Sequence, residues 1–245
     1  MARTWSPPSS PAVEMEEDME AEDEQQQQQH EEEQVSAAAT TTVAAGGGPT
    51  AALAPRRRRI IVAMTGATGA PLGIATLLAL RRLGVETHLV TSRWADRTLR
   101  HETDYTPATA RALADAAHAN ADLGSPLASG SFRVDGMVVV PCSMRALAAV
   151  ARGLGGDLVA RAADVVLKER RRLVLVAREC PLSLVHLDNM AAASRAGAVV
   201  FPPVPAFYAR PASVQDLVDH TVGRILDLFD LDAGNFDRWA GFPAR

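Results

Sequence analysis

The chain has 245 residues, 47% of them hydrophobic, a formal net charge of −4 and two cysteines, Cys142 and Cys180. Two cysteines are too few for a disulfide scaffold and lack metal-ligand spacing, and no apolar run reaches the roughly 18 residues that a membrane-spanning helix needs. Residues 1–55 hold eleven acids against one arginine, which leaves the other 18 acids and 24 bases to give the rest of the chain a net charge of +6.

Residues 1–55 open on Pro and Ser, run through an acidic block from Glu14 to Glu33 interrupted by five glutamines, and end in Ala, Thr and Gly. Such a composition cannot bury a core, so these residues are expected to be a disordered acidic low-complexity tail. It has neither the apolar stretch of a signal peptide nor the Arg-rich, acid-poor character of an organelle transit peptide. The folded domain is expected at 56–230, with a C-terminal extension at 231–245. Arg56 to Arg59 read as a solvated strand entry rather than a nucleic-acid patch.

From Arg56 onward apolar runs alternate with helical patterns. Ile60 to Met64 predict a buried strand, Thr65 to Gly69 a tight turn, and 71–83 a helix with Leu72, Leu77, Leu78, Leu80 and Leu83 at helical spacing, stopped by Gly84. A strand follows at 86–91 and a helix at 94–101. The Ala-rich 109–120 segment is expected to be helical, and 121–131 a loop. Next come a strand at 134–140, a helix capped by Ser143, a helix at 158–170 capped by Asp157 and a fully apolar strand at 173–177. A helix at 183–195, a last strand at 198–204 ended by prolines, and an amphipathic helix at 213–229 complete the domain.

Uninterrupted apolar strands joined through helices imply an α/β fold: a three-layer α/β/α doubly wound parallel sheet, flavodoxin- or Rossmann-like. Ligands of such sheets bind outside the carboxyl ends of the strands, where Thr65-Gly66, Ser92, Cys142-Ser143, Arg178-Glu179 and Pro205 to Tyr208 are expected to fall. The glycine turn also fits nicotinamide short-chain dehydrogenases, but those use a Tyr-x-x-x-Lys pair. This chain has one lysine, Lys168, without that tyrosine, and its second strand ends in Thr91-Ser92-Arg93 with no acid for a ribose diol.

The Gly66-Ala67-Thr68-Gly69-Ala70 turn, Pro141-Cys142-Ser143-Met144, Lys168-Glu169-Arg170-Arg171, Arg178-Glu179-Cys180-Pro181 and the segment from Pro202 to Tyr208 occur in one order. Over roughly 58–230 the chain resembles the UbiX-type flavin prenyltransferases. The resemblance implies transfer of a dimethylallyl group from dimethylallyl phosphate to reduced FMN, without a metal. The prenylated FMN would then serve a UbiD-type decarboxylase.

On that resemblance Gly66, Ala67, Thr68, Gly69, Ser92, Ser143, Met144, Arg145, Ala146 and Arg178 would contact FMN, and Tyr208 with Arg224 the substrate phosphate. Glu102, Arg161, Lys168, Glu179 and Trp239 would be catalytic: cations and an acid for the departing phosphate, Glu102 as base, Trp239 over the prenyl group. A homo-oligomer, expected to be a dodecamer, would bring several of them together across subunit boundaries. Thr68 stands where the family usually has Ser, and Ala146 where it usually has Thr, which removes a hydrogen bond to FMN worth about 1 kcal/mol. Cys180 replaces a common Thr.

Read from the residues alone, Lys168 lies in a charged helix end and Arg224 on a polar helix face, both ordinary for solvated groups. Because 24 of the 25 basic residues are arginine, a lone lysine marks a place that needs a compact ammonium. Two further functions share the fold: an FMN-dependent cysteine-type decarboxylase, and a non-catalytic FMN-binding regulatory subunit docked through the acidic tail. The first would carry Asn-Thr in the loop occupied by Pro141-Cys142-Ser143, and the second would need no phosphate clamp. The cytoplasm is the expected compartment, with no nucleic-acid or membrane partner; family relatives make the mitochondrion the alternative.

Overall fold

A computed structural model describes residues 56–234 and 236–242. The tail expected at 1–55 lies outside the described residues. Six parallel strands form one sheet in the order β3-β2-β1-β4-β5-β6. They are β1 (Arg59–Met64), β2 (Glu86–Thr91), β3 (Ala116–Ala119), β4 (Gly136–Cys142), β5 (Arg172–Ala177) and β6 (Val199–Val200). The helices are α1 (Ala70–Arg82), α2 (Arg93–Glu102), α3 (Pro107–Arg111), α4 (Met144–Arg152), α5 (Leu158–Lys168), α6 (Leu184–Arg195) and α7 (Val214–Asp227).

Side chains alternate between the two faces of the sheet. Ile60, Val62 and Met64 of β1 pack with Ile74, Leu77 and Leu80 of α1 and with Val222, Ile225 and Leu226 of α7. Ile61 and Ala63 pack on the opposite face with Leu147 of α4, Leu158, Ala162 and Val166 of α5, and Ala193 of α6. Fully buried on both faces, the strands can be continuous apolar runs, as the sequence pattern requires. Gly84, with φ 67°, follows α1 in the left-handed conformation that lets the chain turn back into β2.

Two expectations are corrected. The 109–120 segment is not a helix: after the five residues of α3 the chain enters β3, an edge strand paired with β2. Alanine's helix propensity is a few tenths of a kcal/mol per residue, and partner groups on β2 outweigh it. Asp115 Oδ2 accepts from the Thr87 N–H at 2.9 Å, and His118 Nε2 lies 2.9 Å from His88 Nδ1. The last strand is two residues rather than seven, because Pro202 and Pro203 have no N–H to pair.

The β2–β3 edge carries a continuous polar chain. Arg59 grips Glu86 through two bonds of 2.6 and 3.0 Å, Glu86 Oε1 meets His88 Nε2 at 3.0 Å, and Ser125 Oγ lies 2.9 Å from His118 Nδ1. Burial, and then the neighbouring His88, lower the pKa of His118. The unfolded chain therefore protonates first, so stability is complete above the ordinary histidine pKa of about 6.5 and declines as pH falls below it. The melting temperature should drop from about pH 6.5 to about pH 5, and the slope should flatten in His118→Gln; an equal slope in the variant contradicts the assignment.

Candidate active site

The strand order reverses between β1 and β4, and the residues that leave these two strands border the crevice where doubly wound sheets bind ligands. Thr65, 5% exposed, ties the two together. Its N–H and its hydroxyl both donate to the Pro141 carbonyl, at 3.1 and 3.0 Å, and its Oγ1 accepts from the Ser143 N–H at 2.7 Å. The turn then tightens through the Ala67 N–H to the Thr65 carbonyl. At Gly66 no side chain fits, since a Cβ would lie 2.3 Å from Trp94 Cβ. Gly69 enters α1 with φ 118°.

The N-terminus of α1 is held by the protein itself. Glu102, the last residue of α2, accepts the N–H groups of both Gly69 and Ala70 through Oε2 at 2.8 Å. These donors do not stand free for a ligand: a carboxylate already answers them and the helix dipole. Glu102 is thereby fixed beside the glycine turn. Free first-turn donors belong instead to α4. Ser143 caps that helix by accepting from the Ala146 N–H at 3.3 Å, and Met144 and Arg145 present first-turn N–H groups that have no partner within the helix. Ser92 caps α2 in the same way, through Ala95.

At the end of β5 the Arg178 N–H donates to the Cys142 carbonyl at 3.1 Å, which sets exposed Arg178 and Glu179 next to the β4 exit. Cys142 is wholly buried and its thiol is pushed up to about 12 by that burial, whereas Cys180 is exposed. The rim thus gathers Gly66, Ala67, Thr68, Gly69, Ser92, Glu102, Ser143, Met144, Arg145, Ala146, Arg178 and Glu179.

The remaining expected residues form two other groups. Tyr208, in a short 3-10 turn beyond β6, bonds through its hydroxyl to His220 Nε2 at 2.8 Å and meets the Trp239 ring edge-on at 5.6 Å. Arg224 lies one turn along α7 from His220 and pairs with Asp227 at 3.5 Å. His220 is the member that reading the sequence missed. Its signal was the four-residue spacing to Arg224 on one helix.

Arg161 and Lys168 belong to α5. Arg161 pairs with Asp164 at 2.7 Å, and Lys168 reaches Glu169 at 2.5 Å, holding that carboxyl below its ordinary pKa. The N-terminus of α5 is tied to the end of β3 through the Leu158 N–H and the Asn120 carbonyl. Lys168, ten residues later and just before β5 begins, is therefore about 15 Å down the helix, at the opposite end of the sheet from the rim. A groove of about 500 Å³ bordered by Arg58, Arg170, Arg171 and Arg172 also lies at that end, away from the strand exits.

Residues 52–226 match the Flavoprotein family. The chain is similar to a probable UbiX-like flavin prenyltransferase of Streptomyces sp. (strain D7), 59% identical over 185 residues that cover 75% of this chain and 92% of that protein. It is 53% identical over 185 residues to the mitochondrial flavin prenyltransferase of Saccharomyces cerevisiae, with 76% of each chain covered. Among solved structures, AnUbiX in complex with FMN and dimethylallyl pyrophosphate superposes with a TM-score of 0.76 at 65% identity, covering 77% of this chain and all of that one. A dodecameric FMN-dependent UbiX-like decarboxylase from Escherichia coli O157:H7 superposes at 0.74 and 55% identity, covering 75% and 100%.

Two outcomes test the rim. Gly66→Ala should lower unfolding stability by about 1–3 kcal/mol in a urea titration, because Trp94 must move; an unchanged midpoint contradicts the close approach. A thiol reagent should modify Cys180 and spare Cys142 until denaturant is added, so Cys180→Ser should leave no reactive thiol in the native protein.

Proposed function

Because the chain belongs to the UbiX-like flavin prenyltransferase family, we propose that its rim binds reduced FMN as substrate and that the enzyme transfers a dimethylallyl group to it. It is a transferase and a flavoprotein. In this reading the allylic C–O bond breaks, phosphate leaves with the bonding pair, the flavin gains the prenyl carbons and a proton is collected. The observation that carries the reading is the Thr65-to-Gly69 turn set against the Ser143 cap at the reversal of the sheet, with Glu102 fixed between α1 and α2.

In this reading each residue has a role. The tight turn from Gly66 to Gly69 and the segment from Ser143 to Ala146, with Ser92 and Arg178, hold and orient the flavin. Arg161, Lys168, Arg178, Tyr208 and Arg224 neutralise the departing phosphate, Glu179 supplies it a proton, Glu102 removes one from the flavin and Trp239 covers the apolar group. One copy of the chain does not gather this set, since Lys168 and the rim lie at opposite ends of the sheet. We therefore assign the complete site to a homo-oligomer, and a dodecamer is the proposed form. Leu184 and Val185 of α6, 80% and 66% exposed, supply apolar surface for such an assembly.

The product would pass to a UbiD-type decarboxylase. Among the described residues no helix is long and apolar enough to cross a membrane. We favour the cytoplasm, with the mitochondrion as the alternative on the strength of the yeast relative. The cysteine-decarboxylase reading is not favoured, because the curated relatives at high identity are prenyltransferases.

Anaerobic incubation with reduced FMN and either dimethylallyl phosphate or its pyrophosphate should give, by mass spectrometry, a flavin heavier by one prenyl unit. FMN recovered unchanged from both incubations overturns the reading. Lys168→Ala should lose at least about 100-fold in turnover while retaining FMN, as expected for a charge that acts on the developing phosphate. Ala146→Thr should tighten FMN binding about five-fold, the equivalent of one added hydrogen bond.

A further inference from the structure

We propose that His220 is a positioning residue that sets the proton of the Tyr208 hydroxyl and, by taking up a proton itself, couples binding of the substrate phosphate to pH. The inference rests on the reading of Tyr208 and Arg224 as the phosphate-binding pair.

The geometry is specific. His220 is 8% exposed, in the middle of α7, and its Nε2 lies 2.8 Å from the Tyr208 oxygen. The imidazole is wedged between two rings, meeting Tyr208 edge-on at 5.5 Å and Phe236 edge-on at 5.1 Å. Phe236 is in turn seated on Gly223, where a Cβ would lie 2.1 Å from its ring. Trp239 closes the other side of Tyr208. The phenol is thus held by one hydrogen bond and two aromatic neighbours, although it sits on a short turn after a proline-rich segment.

A phenol that donates to His220 has no proton left for a phosphate oxygen. A phenol that accepts from an Nε2–H keeps its proton free to donate to a ligand oxygen. Imidazolium guarantees that second arrangement and adds a positive charge within reach of a phosphate dianion. In the free protein, burial and then the nearby Arg224 lower the pKa of His220, while Asp227 opposes them. A dianion bound between Tyr208 and Arg224 offsets the Arg224 charge and favours imidazolium. The His220 pKa therefore rises on binding, a proton is taken up, and the contribution of His220 to affinity is greatest at low pH and is lost as pH rises through the bound-state value.

The other charges around the imidazole are accounted for. On α7 itself Asp216 caps the helix through Ala212 and Ser213, and Asp219 accepts from Gln215. Arg210 and Asp237 border the same hollow of about 440 Å³ as His220. Arg238 is committed to Asp227 and Asp232. The helix α1, packed on the other side of α7, has charge only at Arg81 and Arg82.

The test is calorimetric titration of the full-length protein loaded with oxidised FMN, which binds the ligand without turnover. Dimethylallyl phosphate is titrated in two buffers of unlike ionisation enthalpy, from about pH 6 to pH 8. Ionisation of the ligand is common to every protein compared, so the difference between variants is the reading. The wild-type protein should take up more protons on binding than His220→Gln, whose amide keeps a donor toward Tyr208 without titrating. His220→Gln should bind within about two-fold of wild type at neutral pH and show a flatter pH profile. His220→Phe should bind about five-fold more weakly, and the double variant with Tyr208→Phe should lose no more than Tyr208→Phe alone.

The proposal is overturned if His220→Gln matches the wild-type proton uptake and pH profile, or if His220→Phe binds with wild-type affinity. A wild-type protein that binds with the expected proton uptake, yet forms no prenylated flavin under reducing conditions, removes the proposed reaction and leaves the role of His220 standing.

Discussion

The hydroxyl of Thr65 is the contact on which the rest of the site depends. Doubly wound sheets diverge where their strand order reverses, and there two adjacent strands must send their chains to opposite faces. In this protein β1 feeds α1 on one face and β4 feeds α4 on the other. The buried Thr65 side chain bridges the two exits, accepting from the Ser143 N–H and donating to the Pro141 carbonyl. Without it, the Ser143 N–H at the β4 exit would lose its partner, at about 1–3 kcal/mol if nothing replaced it. The glycine turn and the Ser143 cap keep one spacing because they share that threonine.

Much of this was legible in the sequence, for physical reasons that differ from residue to residue. Strands buried on both faces have to be apolar throughout, so β1, β4 and β5 were plain. Caps are local, so Ser143 and Asp157 announced their helices, and each of their side chains accepts from the first turn that follows it. The strand β3 was hidden because its stability comes from Asp115 and His118 reaching partners on β2, about thirty residues earlier. No window along the chain contains that information. Helix propensity in 109–120 pointed the wrong way for the same reason.

The candidate site was legible in its types and not in its arrangement. The family resemblance named Tyr208, Arg224 and Trp239, and the fold brings Tyr208 and Trp239 into ring contact, with Arg224 a turn beyond a neighbour of Tyr208. The resemblance was silent on that neighbour, His220, because a histidine on an amphipathic helix looks like any other partly buried polar residue until its Nε2 meets a phenol. Glu102 was expected as a base and is found gripping the N-terminus of α1. Its carboxylate is therefore both a strut of the cradle and a group held at a known place.

On the proposed catalytic set, the place of Lys168 makes the single chain an incomplete site. Helix α5 carries it away from the rim by its own length, and no side-chain motion spans that distance. If the catalytic set is one site, the lysine of one copy serves the rim of another. The direct test is subunit complementation. Lys168→Ala and Glu102→Gln, each inactive alone, are dissociated, mixed and reassembled, and formation of prenylated FMN is measured. A composite site predicts that the mixture regains a substantial fraction of wild-type activity, because some rims then combine an intact Glu102 with an intact Lys168 from a neighbour. A mixture as inactive as its two components contradicts the account.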